Sequence, residues 1–358
     1  MKVILHIGTS KTGTSALQRS LARAAEEPDV WSFGYPTWPE RNDAHHTLAS
    51  AFVSRAYMPR LLTDGGRRSE ADVRQDGINA WAVIKLSAPA HDLMVISSEY
   101  LFAISEEGAH ILAGLVEDIA DEVEVACYVR PPAAHYVASL SQRVRASRHV
   151  IRPCDHRLDA RQRLARFTEA FGGRVTVRSY ERDRLIGGDI IEDFRATFLP
   201  DLPPLPRPTA KGDNRSLSAE AICLLHELRG HAWTDEERQH SPSSNAVQQA
   251  LLGIDDGPSA STASLRPGLA EAITWAPDVD LAYLADEHGL ELERATAPAE
   301  PCPGWTTESV QEILAVEPDR LDALRARLVR QLADQLVLAR DRIGRLEQRL
   351  AKAKGEDA

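Results

Sequence analysis

Cysteine is scarce in this 358-residue chain: Cys127, Cys154, Cys223 and Cys302 stand far apart, and no Cys-x-x-Cys pair occurs. That spacing suggests neither a disulfide framework nor a zinc site, and predicts reduced thiols in a cytoplasmic protein. No run of about 18 apolar residues is present, so no membrane-spanning helix is expected. Met1-Lys2 leads straight into an apolar segment, without the layout of a secretory signal. Basic residues are outnumbered, 42 Lys and Arg against 53 Asp and Glu, for a formal net charge of −11. A field of that sign disfavours nonspecific nucleic-acid binding, and no nucleic-acid partner is expected. An anionic ligand would need a local basic pocket. No internal repeat of 20–50 residues and no clustered metal ligands are visible, so no metal is predicted. The remaining composition, 43% hydrophobic and 27% charged, is that of a globular protein of one large domain with appendages or two smaller ones.

Four short apolar segments read as strands: Val3–Ile7, Leu93–Ser97, Glu124–Val129 and Arg174–Ser179. Each is followed by a turn and a helical pattern, the signature of a parallel α/β sheet with its site at the strands' carboxyl ends. Asn42 or Asp43 is placed to cap a helix through Ala49. Residues 63–77 read as a polar, glycine-rich loop, and the prolines of 200–210 as an extended connector. Ser216 or Ser218 would cap a helix to about Arg229, and Asp189 a helix through Phe198. Residues 241–268, rich in Ser, Gly, Pro and Ala, suggest a mobile stretch. From about Glu317 to Lys354 the pattern is one long helix. Its Leu336, Ala339, Ile343, Leu346 and Leu350 alternate steps of three and four. That stripe suits packing on its own domain or pairing in a homodimer.

The most informative segment is Val3–Gln18. An apolar strand empties into Gly8-Thr9-Ser10-Lys11-Thr12-Gly13-Thr14-Ser15 and then into a helix. Backbone amides, one cation and several hydroxyls thereby converge on a helix start, which suits a phosphate or sulfate group. The loop is not a Walker A sequence. Gly8 and Gly13 have the right separation, but Lys11 precedes Gly13 instead of following it. A second anion-binding candidate is Arg130, at the end of the strand through Val129, with Ser139 in the helix that follows; arginine there suits a bidentate grip on a dianion. Ile96-Ser97-Ser98-Glu99 closes another strand with a carboxylate able to accept a proton. His45 and His46 are competing bases, of which only one can face a given site. His6 is placed for an orienting role beside the loop.

Together, His6-Ile7-Gly8, Lys11-Thr12-Gly13-Thr14-Ser15 and Leu17-Gln18 resemble the 5′-phosphosulfate loop of bacterial sulfotransferases that use 3′-phosphoadenosine 5′-phosphosulfate (PAPS). The resemblance implies an α/β fold: a three-layer parallel sheet with a P-loop-type 5′-phosphosulfate loop and a helical C-terminal region. It also implies transfer of a sulfuryl group to a hydroxyl or amine, with 3′-phosphoadenosine 5′-phosphate (PAP) as product. Gly8, Ser10, Lys11, Thr12, Gly13, Thr14 and Ser15 would hold the phosphosulfate. Arg130 and Ser139 resemble the 3′-phosphate motif, although their separation of nine departs from the usual eight. Lys211 and Arg215, in a basic glycine-containing loop, would close over that phosphate. Lys11 would neutralise the breaking bond, and Glu99, or one of His45 and His46, would be the base. Residues 174–194 resemble another stretch of the family and read as structural. The expected division is a core over 1–215, a helical and loop region over 216–316 that completes the acceptor site, and a tail helix over 317–358. The acceptor would be a small molecule or glycan. Two rival readings are a P-loop kinase or NTPase with an atypical loop, and a non-catalytic binding protein of the same fold.

Overall fold

The computed structural model describes residues 1–37, 43–53, 68–208, 216–233, 241–255, 263–274, 279–294 and 309–356. Its centre is a parallel sheet of β1 (Lys2–His6), β2 (Leu93–Ser97), β3 (Glu122–Val129) and β4 (Val175–Ser179), in the order β2-β1-β3-β4. The strands fall within two residues of the apolar segments in the sequence. His6 is level with Ser97 on one side and Ala126 on the other, so β1 and β2 finish together while β3 runs on to Val129 beside the loop that follows β1. From β1 the chain moves out to β2, then crosses back to β3. The border between β1 and β3 is therefore where the winding reverses, and such borders open a crevice at the carboxyl ends of the strands.

The helices are α1 (Thr14–Ala25), α2 (His46–Ala49), α3 (Glu70–Ser87), α4 (Glu106–Glu117), α5 (Pro132–Val144), α6 (Ala160–Ala170) and α7 (Ile190–Phe198), then α8 (Ala219–Ala232), α9 (Pro242–Ile254), α10 (Leu269–Thr274), α11 (Val279–His288) and α12 (Pro318–Glu356). Residues 1–135, 157–211 and 274–296 form one compact unit; residues 136–156, 212–273 and 297–358 form another. The units interleave along the chain.

In the first unit the sheet is covered on both faces. Val3, Leu5, Ile96, Val125 and Val129 pack with Trp81 and Ile84 of α3, Leu112 and Val116 of α4, and Leu164 and Phe167 of α6. On the other face Ile4, Val95, Ala126 and Tyr128 meet Leu17 and Leu21 of α1 and Phe194 and Phe198 of α7. Burial on both sides explains why the strands read as unbroken apolar runs. One polar cluster sits within this second face. The fully buried Asp193 accepts two bonds from Arg178 at 2.6 Å, one from the Tyr128 hydroxyl at 2.7 Å and one from the Ile186 amide at 2.9 Å. A buried carboxylate so fully satisfied ties β3, β4 and α7 into one body. Asp189 caps α7 as expected, accepting from the amides of Ile191 and Glu192.

The second unit has its own core, built from Ile222 and Leu225 of α8, Leu251 of α9, Ile313, Leu314, and Leu321, Leu324 and Leu328 of α12. Ser218 caps α8, accepting from the Ala221 amide at 3.1 Å. The fully buried Arg229 donates to the carbonyls of Val144 and Arg145, satisfying acceptors at the end of α5.

Four expectations are corrected. Residues 70–77, read as loop, begin α3: Ser69 accepts from the Asp72 amide, and Glu70 pairs with Arg74 one turn on. Residues 242–254, read as mobile, form α9, with Ser241 as cap and Pro242 in the first turn, where a missing amide does no harm. Asp43 caps no helix, since α2 starts only at His46 with His45 before it, and Asn42 lies outside the described residues. Cys154 is disulfide-bonded, whereas Cys127 and Cys223 are free. The thiol argument for a cytoplasmic setting therefore fails. Among the described residues no helix is long and apolar enough to cross a membrane.

Candidate functional site

The loop after β1 is stitched to the neighbouring strand before it turns into α1. The Ile7 amide donates to Ala126, and both the amide and the hydroxyl of Thr9 donate to the Tyr128 carbonyl. Lys11 then adopts a left-handed conformation with φ 67°, and so does Gly13 with φ 74°. Such conformations disfavour side chains other than glycine, so Lys11 is held there by its surroundings. At Gly13 a Cβ would also lie 2.9 Å from the Tyr180 hydroxyl. Gly13 precedes α1 without a side-chain cap, which leaves the first amides of the helix to other partners.

Within this loop the hydroxyls divide. Thr12 is fully buried and donates to the Thr9 carbonyl at 2.6 Å, so its hydroxyl shapes the turn. Thr14, also buried, donates to Glu99 Oε2 at 2.5 Å. Ser10 and Ser15 are exposed, and Ser10 lies 3.4 Å from His135 Nε2. Gly8 is buried under the loop.

Arg130 extends from the end of β3 and donates through Nη1 to the Lys11 carbonyl at 3.1 Å. Its guanidinium sits 5.8 Å from the centre of the Tyr180 ring, a cation–π contact. Burial lowers its pKa from the ordinary arginine value, opposed by Tyr180; arginine keeps its charge nonetheless. The loop and Arg130 thus share the β1/β3 border. Ser139 lies half-buried on α5 and belongs to the second unit. Lys211 and Arg215 lie outside the described residues.

Glu99 follows β2 and is half-buried. It borders a cavity of about 260 Å³ that Thr9, Ser10, Tyr100, His135 and Arg163 also line. The two histidine candidates differ sharply. His45 is 1% exposed; its Nδ1 accepts from the Ser97 amide at 2.8 Å and its Nε2 donates to the Pro36 carbonyl at 2.7 Å. Burial drives its pKa down to about 4. That geometry makes it a neutral clamp between two backbone segments. His46 is half-buried, with Nδ1 3.0 Å from the Ser98 hydroxyl and its ring against Tyr100. His6 is fully buried, bonded through Nδ1 to the Ser97 hydroxyl, and its Nε2 has no hydrogen-bond partner; burial lowers its pKa to about 3. Gln18 donates to the same hydroxyl at 3.2 Å. Neutral His6 therefore braces β1 against β2 directly beneath the loop.

Tyr180 and His135 were not among the residues singled out from the sequence. Tyr180 immediately follows the strand through Ser179, so its place at a strand's carboxyl end was the available signal. Comparison with protein-family models, curated proteins and solved structures finds no match.

Proposed function

We propose that this protein is a PAPS-dependent sulfotransferase whose phosphosulfate loop is Gly8–Ser15. The observation that carries this reading is the meeting of three groups at one end of the sheet. These are the left-handed loop with Lys11, the Arg130 guanidinium bonded to that loop, and the Glu99 carboxylate bonded to Thr14. Two cations and uncapped helix amides suit a multiply charged anion, and a carboxylate beside a cavity suits an incoming hydroxyl.

The residues fit the donor. The amides of the first turn of α1, with Lys11, Ser10 and Ser15, would hold the phosphosulfate, while Thr12 and Thr14 keep the loop in shape. Arg130 would hold the 3′-phosphate, with Tyr180 fixing the guanidinium plane. When bound, PAPS supplies an activated sulfuryl group on a good leaving group. Lys11 neutralises negative charge at the loop. Glu99 accepts the proton of the acceptor hydroxyl and is oriented for this by the Thr14 hydroxyl. His45 acts as a clamp, and His46 stays a competing base through its place beside Ser98. The three-layer arrangement expected of this class agrees with helices on both faces of the sheet. A cavity of about 260 Å³ has room for a single sugar or aromatic ring, so the acceptor is a small hydroxyl-bearing molecule or a glycan end.

Calorimetric titration with PAP and, separately, with ATP and Mg²⁺ tests the reading. PAP binding is expected, with sulfuryl transfer from labelled PAPS to a panel of phenols and sugars. Failure to bind PAP, together with tight binding of ATP, would reassign the loop to a kinase or NTPase. PAP binding with no transfer to any acceptor would favour a binding protein.

A further inference from the structure

Helix α12 carries an apolar stripe of which only the first part is covered. Leu321, Leu324 and Leu328 are buried in the core of the second unit, and Leu332 is partly buried against it. Beyond Leu328 an apolar row runs on largely exposed. Val329, Leu336, Ile343 and Leu350 recur every seven residues and are 63%, 72%, 56% and 58% exposed. Between them, at alternate steps of three and four, fall Leu332, Ala339 and Leu346, the last 53% exposed. Val329 points about 100° from Leu328, but Leu332 belongs to both rows and Leu346, about five turns beyond Leu328, lies in line with it, so the exposed row extends the buried one past the core of the unit.

We propose that this exposed run is the seam of a parallel, two-stranded coiled coil with a second copy of this chain. Three arguments choose that occupant. The 3-4 spacing runs for three heptads from Val329 to Leu350, the shortest length at which such pairing is expected to hold. β-branched Val329 and Ile343 alternate with Leu336 and Leu350 at the first core position, and Leu332 and Leu346 flank Ala339 at the second, with no isoleucine at that second position to favour a higher order than two strands. Charge fixes the direction: a parallel register sets Arg342 opposite Glu347 of the second copy, twice by symmetry. An antiparallel register would instead pair flanking residues of the same heptad position, which sets Arg342 opposite Gln335, Arg342 or Arg349 and never opposite Glu347. A core of leucine, isoleucine, valine and one alanine leaves no room for a polar ligand.

Sedimentation equilibrium on the full chain from roughly 1 to 100 µM reads this directly, because dimer formation follows mass action. The expected mass rises with concentration towards twice 39.4 kDa. Ile343→Asp, at an exposed position, should hold the protein at 39.4 kDa across that range with an unchanged circular dichroism spectrum, and Ile343→Leu should restore association. Leu350→Cys should give a disulfide-linked dimer under oxidation, as a parallel register demands. A single monomer mass throughout would overturn the proposal. So would association that survives Ile343→Asp, a mass of three or four chains, or a Leu350→Cys protein that stays unlinked while dimeric.

Discussion

Replacing Glu99 by glutamine separates two tasks assigned to one carboxylate. Its Oε2 accepts from Thr14 at 2.5 Å and so holds the start of α1, while the same group borders the cavity. Glutamine has the same length and still accepts through its amide oxygen. The anchor then changes from a charge-assisted to a neutral hydrogen bond, a loss of about 1 kcal/mol. Nucleotide affinity should therefore fall by no more than about five-fold. Removal of a general base lowers turnover by about 10²- to 10⁴-fold. Glu99→Ala removes both tasks and leaves the buried Thr14 hydroxyl without its acceptor, at about 1–3 kcal/mol. The alanine variant should thus lose PAP affinity by about 5- to 150-fold in addition to turnover. PAP titration calorimetry reports the first effect, and PAP release from PAPS with a saturating acceptor reports the second. A Glu99→Gln enzyme within about five-fold of wild-type turnover would refute proton transfer to Glu99 and leave it only the anchoring task.

Three further expectations rest on separate observations. Arg130→Ala should weaken PAP binding by about 10- to 150-fold, the range of a partly buried charged hydrogen bond, and Arg130→Lys should recover only part because it lacks the planar fork; equal PAP and AMP affinity in wild type would speak against the assignment. His45 and His6 are held neutral by burial, at about 4 and about 3, below the unfolded value of 6.5. Protons therefore bind the unfolded chain first, and stability present above pH 6.5 is lost as pH falls towards those values. Between pH 6.5 and 5 the loss is about 2 kcal/mol for each histidine, and His45→Asn should flatten that slope in urea titrations. At Gly77 a Cβ would lie 2.5 Å from the Ala51 amide nitrogen. Gly77→Ala should cost about 1–3 kcal/mol and lower Tm by several degrees, and an unchanged Tm would show that α3 shifts freely.

Much of the sheet was legible because parallel strands buried on both faces leave apolar runs such as Val3-Ile4-Leu5, with little else to compete. The loop and Arg130 were legible for a related reason: residues at strand ends converge at the reversal point of the sheet, whatever lies between them in sequence. Tyr180 satisfies the same rule but was passed over because tyrosine is read first as core. The misread segments share one cause. Gly77 looked like a loop residue, yet its lack of a side chain serves the close approach of α3 to Ala51. Ser241-Pro242, a common loop pair, is equally a cap and first helical residue. Which histidine is clamped depends on the carbonyl of Pro36 and the amide of Ser97, a meeting that no local pattern announces. The bond at Cys154 is likewise a product of the fold and not of cysteine spacing.

The backbone at Lys11 has a consequence for how this chain would evolve under heat. Its left-handed twist, at φ 67°, disfavours every L-residue that carries a Cβ by about 1–2 kcal/mol, and glycine alone escapes that penalty. Selection for thermal tolerance alone would drift that position to glycine and discard the ammonium group. Retention of lysine at so awkward a bend in thermophilic descendants would mark continued use of its charge.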